Sequence, residues 1–193
     1  MVVNSETKTT LLDLIVKDAL MIGDFELSSG RRSNYLIDIK RVVLDPVGFS
    51  LIGSLLYEEA SRAGVTAIGG VASGGIPLVC AVLAKAGMEE ELYYSSCRLR
   101  GFWVSKEPKS HGTMSQIEGI LYPEDRVLLI EDVLTTGASA VKAANAISEA
   151  WARVIEIVSV VDRIDNPCEG LAQFKRLSLF SFDEIIMAYR KIN

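Results

Sequence analysis

The sequence is poor in residues that crosslink a chain or bind transition metals, with three cysteines and one histidine among 193 residues. Cys80, Cys97 and Cys168 stand far apart, and no pair has the spacing of a metal-binding or redox motif. We therefore expect free thiols in a reducing cytoplasm. Charge or glycine interrupts every apolar run before about 18 residues, which predicts no transmembrane helix. The first ten residues are polar and do not resemble a signal peptide.

Positive charge is also in short supply, since 20 lysines and arginines stand against 25 acids and the net charge is −5. This balance argues against a general nucleic-acid partner. The sequence contains neither the phosphate loop of nucleoside triphosphatases nor the glycine fingerprint of dinucleotide-binding folds. With 49% hydrophobic and 23% charged residues, the composition is that of a folded globular chain. The length predicts one domain, residues 1–193.

Short aliphatic runs alternate with segments of helical periodicity along most of the chain. The predicted strands are 65–69, 92–96, 126–130 and 154–161, with two short strands in 24–38 and one at the start of 177–189. The predicted helices are 8–22, 45–63, one that begins at 74, 137–151 and the end of 177–189. This alternation predicts an α/β fold with a central parallel sheet flanked by helices. Ligands of such sheets bind beyond the carboxyl ends of the strands.

Two adjacent acids, Glu131 and Asp132, end the predicted strand at 126–130, and a turn rich in hydroxyl groups follows them. The turn opens a helix, whose first amide groups and dipole favour an anion such as phosphate. The acids would repel phosphate, so sugar hydroxyls or a ligand-borne Mg²⁺ are better partners for them. Together these features predict a ribose 5-phosphate site. The bland alternative is a capped helix preceded by surface acids.

This segment resembles the binding motif for phosphoribosyl pyrophosphate (PRPP) of the type I phosphoribosyltransferases. The resemblance implies that Glu131 and Asp132 hold the ribose 2′ and 3′ hydroxyls and that the turn cradles the 5′-phosphate. It also implies a type I phosphoribosyltransferase-like fold, with a small hood built from the N-terminal hairpin and the C-terminal segment. The implied PRPP-binding residues here are Glu131, Asp132, Val133, Leu134, Thr135, Thr136, Gly137, Ala138 and Ser139.

A basic stretch precedes this motif and contains the histidine, His111. Four cations lie between residues 98 and 111 against one acid, Glu107; they are Arg98, Arg100, Lys106 and Lys109. Gly101, Pro108 and the lack of periodicity predict that residues about 101–115 form a loop that is mobile without ligand. Such a loop can close over a polyanion and neutralise charge as it develops. The alternative is a solvated basic loop.

The basic stretch resembles the catalytic loop of the orotate phosphoribosyltransferase family, with Lys106, Lys109 and His111 at the matching positions. Residues 25–35 resemble that family's hairpin, residues 74–77 its pyrophosphate loop, and Arg163 its orotate-carboxylate ligand. The resemblance implies transfer of the 5-phosphoribosyl group from PRPP to orotate in pyrimidine biosynthesis, with Mg²⁺ carried on PRPP. It implies a homodimer whose loops cross between subunits. Implied catalytic residues are Lys106, Lys109, His111 and Asp132; PRPP also contacts the loop residues, and orotate contacts Thr135 and Arg163.

Three serines, Ser28, Ser73 and Ser105, stand where that family usually carries a cation. Four arginines are available to replace the missing charge; they are Arg31, Arg32, Arg98 and Arg100. Two other functions therefore stay open. One is transfer to a purine or to uracil, and the other is a PRPP-sensing regulatory protein on the same fold.

Overall fold

The computed structural model describes residues 5–26, 30, 32–89, 99–107 and 116–192. The N-terminal part of the chain forms helices and one β-hairpin. The elements are helix α1 (Ser5–Leu14), continued by a π-helical segment (Ile15–Ala19), strands β1 (Leu20–Glu26) and β2 (Arg32–Ile37), and helices α2 (Lys40–Val43) and α3 (Pro46–Ala63). The hairpin predicted within 24–38 is confirmed. The helix predicted at 8–22 ends earlier, because residues 20–22 pair with β2 and the pairing overrides their helical spacing.

Helix α3 begins where Asp45 and Pro46 predict. The Asp45 carboxylate accepts hydrogen bonds from the amides of Val47 and Gly48, at 2.9 and 3.1 Å. An N-cap of this kind satisfies amides that have no partner inside the helix, and proline is pre-organised for the first helical position. Local chemistry therefore determines this helix start.

The remaining strands form a six-stranded sheet with helices on both faces. The elements, in chain order, are β3 (Ala67–Val71), α4 (Gly75–Met88), β4 (Arg100–Val104), β5 (Ile117–Gly119), β6 (Arg126–Leu134), α5 (Ala138–Glu149), β7 (Arg153–Asp162), a 3-10 turn (Leu171–Gln173), β8 (Arg176–Ser181) and α6 (Phe182–Ile192). The strand order is β5-β4-β3-β6-β7-β8, and only β4 and β5 pair antiparallel. The predicted parallel α/β fold is confirmed.

Alternate residues of the central strands enter two separate cores. Leu128 and Ile130 pack with α1, α3 and α4 on one face, whereas Val127 and Leu129 pack with α5 on the other. All four side chains are fully buried. A parallel sheet covered on both faces needs continuous apolar runs, which explains why these strands show no alternation with polar residues. No described helix is long and apolar enough to cross a membrane.

Two further predicted boundaries are wrong, the end of one strand and the start of the predicted mobile loop. Strand β6 does not end at Ile130 but runs to Leu134, because Val133 and Leu134 pair with the end of β7. The stretch predicted as a mobile loop begins with β4, in which Phe102 is fully buried. Its five residues are too few for a periodic signal, but pairing with β3 orders them. Residues 108–115 and the predicted strand 92–96 lie outside the described residues.

Candidate active site

The acid pair lies on β6, in the middle of the sheet between β3 and β7. Glu131 and Asp132 are partly buried and precede the last two residues of the strand. The carboxyl edge of a parallel sheet is where ligands bind in such folds. The acids therefore occupy the position that the sequence predicts, although they lie inside the strand and not after it.

Glu131 has an unusual environment. Its Oε2 atom is buried and has no hydrogen-bond partner among the described residues. Burial, and after it the charge of Asp132, raises the pKa of Glu131 to about 8 against the opposing charge of Lys106. The carboxyl group is therefore protonated at neutral pH. A buried polar atom of this kind costs free energy unless a ligand supplies the missing partner.

The Asp132 side chain contacts the adjacent backbone amide and a lysine that is distant in sequence. Its Oδ1 accepts a hydrogen bond from the Val133 amide at 2.9 Å, and its Oδ2 lies 4.0 Å from Lys40 Nζ. Lys40 also forms an ion pair with Asp38 at 2.8 Å. Gly74, just before α4, approaches so closely that a Cβ atom there would overlap the Asp132 carboxylate. Lys40 has no sequence motif of its own, so only the fold reveals that it borders the site.

The turn after β6 has the geometry of an anion site. Gly137 adopts a left-handed conformation with φ of 77°, and a Cβ atom there would overlap Leu171, so glycine is required on both counts. Helix α5 begins at the next residue, and the Thr136 hydroxyl accepts a 3.4 Å hydrogen bond from the Ala138 amide. Thr135 and Ser139 are exposed. The first-turn amides of α5 lack intrahelical acceptors and can bind a phosphate.

Lys106 lies at the mouth of a cavity of about 340 Å³ between the end of β4 and helix α5. The lining residues are Val71, Val104, Ser105, Lys106, Glu107, Ala138, Ser139, Lys142 and Ala143. The Lys142 ammonium donates a 2.5 Å hydrogen bond to the Lys106 carbonyl, which attaches this part of the basic stretch to α5. Lys106 is close enough to Glu131 to lower its pKa. Lys109 and His111 lie outside the described residues.

Arg163 follows β7 directly and is held by three different parts of the chain. Its amide donates to the Leu134 carbonyl at 2.9 Å, which brings it beside Thr135. Its Nη2 donates to the Ser33 hydroxyl at 2.8 Å, and its guanidinium lies 4.6 Å from the centre of the Phe182 ring. Phe182 meets Tyr35 edge to face, with ring centroids 6.2 Å apart. The hairpin and the C-terminal helix thus form the predicted hood, and Phe182 is a contact that the sequence does not signal.

Two of the four arginines that could replace missing cations do not do so. Arg100 forms a short ion pair with Asp125 and covers the Tyr122 ring at 4.9 Å, at the amino end of β4. Arg32 pairs with Asp24 across the hairpin at 2.6 Å. Ser105 donates to Glu118 at 2.7 Å. Arg31, Arg98 and Ser28 lie outside the described residues.

Known proteins with similar sequences and structures are phosphoribosyltransferases. Residues 46–188 match the family model of the phosphoribosyl transferase domain. The orotate phosphoribosyltransferase of Aquifex aeolicus is 39% identical over 91% of this chain and 96% of its own length. The enzyme of that name from Rhodopirellula baltica is 37% identical over 84% of each chain. A crystal structure of orotate phosphoribosyltransferase from Aeropyrum pernix superimposes with a TM-score of 0.78 and 31% identity, over 94% of this chain and 98% of that one.

A family model that covers most of the chain agrees with relatives that align over nearly their whole length. The acid pair and phosphate-binding turn lie within the matched segment, at the edge of the sheet where the fold binds its ligands. The chain belongs to the phosphoribosyltransferase family, and the relatives that match it over most of its length are orotate phosphoribosyltransferases.

Proposed function

We propose that the protein transfers the 5-phosphoribosyl group of PRPP to orotate, which yields orotidine 5′-monophosphate and pyrophosphate in pyrimidine biosynthesis. One observation carries the proposal: the acid pair, the phosphate-binding turn and Arg163 meet at one edge of the sheet. Relatives named orotate phosphoribosyltransferases support it, since they align with most of the chain.

The donor occupies the acid pair and the turn. The 5′-phosphate accepts hydrogen bonds from the first amides of α5 and from the hydroxyls of Thr135, Thr136 and Ser139. The ribose 2′ and 3′ hydroxyls meet the carboxyl groups of Glu131 and Asp132. The protonated Glu131 can donate as well as accept, so it satisfies a sugar hydroxyl without adding negative charge beside the phosphates. Val133 and Leu134 contribute the strand that holds both groups in register.

The acceptor lies under the hood. Orotate carries a planar carboxylate, and a guanidinium fork binds such a group through two parallel hydrogen bonds. Arg163 is pre-oriented by Ser33 and Phe182, so little side-chain entropy is lost when the carboxylate binds. Thr135 lies beside it, because the Arg163 amide bonds to the preceding carbonyl, and it contacts the same ligand.

The reaction breaks the bond between C1 of the ribose and the diphosphate oxygen and forms a bond from C1 to N1 of orotate. Charge builds on the leaving diphosphate while C1 gains oxocarbenium character, so catalysis rests on positioning and electrostatic stabilisation. Lys106, Lys109 and His111 provide positive charge and hydrogen bonds to the diphosphate. In a homodimer they act on the site of the neighbouring subunit.

Magnesium fits the site as a companion of PRPP. The described residues contain no cluster of three or more side chains able to hold a metal ion. Mg²⁺ commonly keeps most of its ligands from phosphates and water and takes only one or two carboxylates, and here the Asp132 carboxylate is the candidate. The bound ion would neutralise part of the diphosphate charge.

We extend the proposal to the rest of the chain. Residues 1–193 act as a single phosphoribosyltransferase domain, since both the N-terminal hairpin and the C-terminal helix reach Arg163. The acidic composition supports small-molecule substrates over nucleic acid, and no membrane partner is needed. The scattered cysteines support a cytoplasmic location, and Cys80 and Cys168 are free thiols.

One assay tests the function and its two alternatives. The protein is mixed with PRPP, Mg²⁺ and orotate, uracil or a purine, one base at a time, and nucleotide formation is followed. We expect turnover with orotate at least a hundredfold above that with the other bases, because only orotate offers a carboxylate to Arg163. Preference for a purine or for uracil would assign the protein to that phosphoribosyl transfer, and PRPP binding without any turnover would indicate a PRPP-sensing regulatory protein.

A further inference from the structure

The turn at 72–75, between β3 and α4, borders the acid pair but carries no charged side chain. Gly74 contacts Asp132 so closely that no side chain fits between them. In PRPP, the 5′-phosphate and the diphosphate stand at opposite ends of the ribose. With the 5′-phosphate at the turn 135–139 and the ribose hydroxyls at the acids, the diphosphate lies on the far side of Asp132. A diphosphate ester with up to three negative charges there needs positive charge that the turn itself does not supply.

Lys40 lies beside Asp132, with 4.0 Å between its Nζ and the Asp132 Oδ2. It is the first residue of α2, immediately after the hairpin, and its amide bonds to the Asp38 carboxylate at 3.2 Å. Among the described residues, Lys40 is the only lysine or arginine with a nitrogen within 4.0 Å of Asp132. Its side chain is 48% exposed, so a ligand can reach the ammonium. A hydrogen bond to Asp38 raises the pKa of Lys40 above its usual value, and the charges of Asp38 and Asp132 add to this against partial burial.

We infer that Lys40 binds the diphosphate of PRPP and is the cation that this turn lacks. The inference rests on the proposed donor. Without ligand, Asp38 and Asp132 share the ammonium, at 2.8 and 4.0 Å. When PRPP binds, Asp132 turns to the ribose hydroxyls, and the ammonium bonds to a diphosphate oxygen. Lys106 is close enough to Glu131 to lower its pKa, so each of the two acids has a lysine near it.

Three ligands separate a diphosphate contact from a ribose contact. PRPP carries ribose 5-phosphate and diphosphate, pyrophosphate carries only the diphosphate, and orotidine 5′-monophosphate carries ribose 5-phosphate and orotate but no diphosphate. Their affinities are measured by calorimetry with Mg²⁺ on the full chain and on Lys40→Met. The matched control is Lys85→Met, since Lys85 also forms a surface ion pair, with Glu89 at 2.7 Å, at the opposite end of α4.

We expect Lys40→Met to weaken binding of PRPP and of pyrophosphate about 10- to 100-fold, the value of a charge-assisted hydrogen bond, and to leave the mononucleotide within about twofold. Lys40→Arg should restore most of the loss. Unchanged pyrophosphate binding, or equal weakening of PRPP and mononucleotide binding, would overturn the inference. Lys40 would then orient the acids that bind the ribose or stabilise the fold. If the unmutated protein binds no PRPP, it is the proposed function that fails.

A second variant should change the affinity for pyrophosphate in the opposite direction, so this test does not depend on the stability of Lys40→Met. Asp38→Asn keeps the acceptor for the Lys40 amide but removes the competing charge. It should tighten pyrophosphate binding by up to about fivefold, the worth of an exposed ion pair. Weaker binding in this variant, with an unchanged melting temperature, would contradict the inference.

Discussion

The proposed donor and acceptor sides of the site are built in different ways. The donor side is one continuous segment, residues 131–139, in which a strand, a turn and a helix start follow each other. The acceptor side consists of Arg163, Ser33 and Phe182, which come from the middle, the beginning and the end of the chain. A local segment keeps its geometry when remote contacts change, whereas a site assembled from three segments depends on the hood. The local segment suits binding of the donor, and the site assembled from three segments suits selection of the acceptor.

The largest effect is expected when both donor acids are changed to amides. Glu131→Gln with Asp132→Asn should lower PRPP-dependent turnover by about 10²- to 10⁴-fold, because two hydrogen-bond partners of the ribose are changed together. Turnover and circular dichroism measure function and fold separately. The control is Asp13→Asn with Glu149→Gln, since both of these acids are exposed. Near-normal turnover in the double variant would contradict the ribose assignment.

Glu131 also links the donor side to pH. Its pKa is about 8 in the folded chain against an ordinary 4.5, so its contribution to stability is complete below pH 4.5 and is lost as pH rises to about 8. Glu131→Gln removes this loss. Each unit of pKa shift is worth about 1.4 kcal/mol. The free energy of unfolding of the variant, relative to that of the unmutated chain, should therefore increase by about 3 kcal/mol between pH 5 and pH 8. Urea unfolding of both proteins at several pH values measures the gain. Parallel stability curves would contradict the buried, protonated carboxyl.

On the acceptor side, Arg163→Ala should raise the KM for orotate about 10- to 100-fold and the KM for PRPP by much less. Arg163→Lys should recover only part of the loss, because an ammonium cannot form the two parallel bonds of a guanidinium. Steady-state kinetics with each substrate varied in turn measures the difference. Equal increases for both substrates would show that the two sides are not separable at Arg163.

The smallest of these effects concerns the basic stretch that contains Lys109 and His111. Lys109→Ala should lower turnover at least about tenfold, and His111→Ala by less, since a neutral imidazole supplies one ordinary hydrogen bond. Mixing Lys109→Ala chains with Asp132→Asn chains under subunit exchange tests the shared site. Turnover of the mixture should rise above that of either variant alone, because one site of each mixed dimer is intact. A monomer in solution, or no recovery, would contradict loops that act across the dimer.

Sequence patterns predicted elements whose causes are local and missed those whose causes are not. The start of α3 follows from Asp45 and Pro46, and the start of α5 follows from Gly137. The five residues of β4 carry too little periodicity to be recognised, and they become a strand because β3 offers a partner. Likewise β6 runs past Ile130 because β7 continues beside it. Pairing between strands adds order that no short window of sequence contains.

The sequence by itself determined the parallel α/β layout and the donor segment, because side-chain period, turn chemistry and helix capping act over a few residues. Only the tertiary structure decided which distant side chains meet there. It brought Lys40 to Asp132 and Ser33 to Arg163, and it paired Arg100 with Asp125 at the other end of the strand from the ligand edge. These contacts depend on strand order and on the packing of the hood. Long-range packing therefore set the charge around the donor and the shape of the acceptor side.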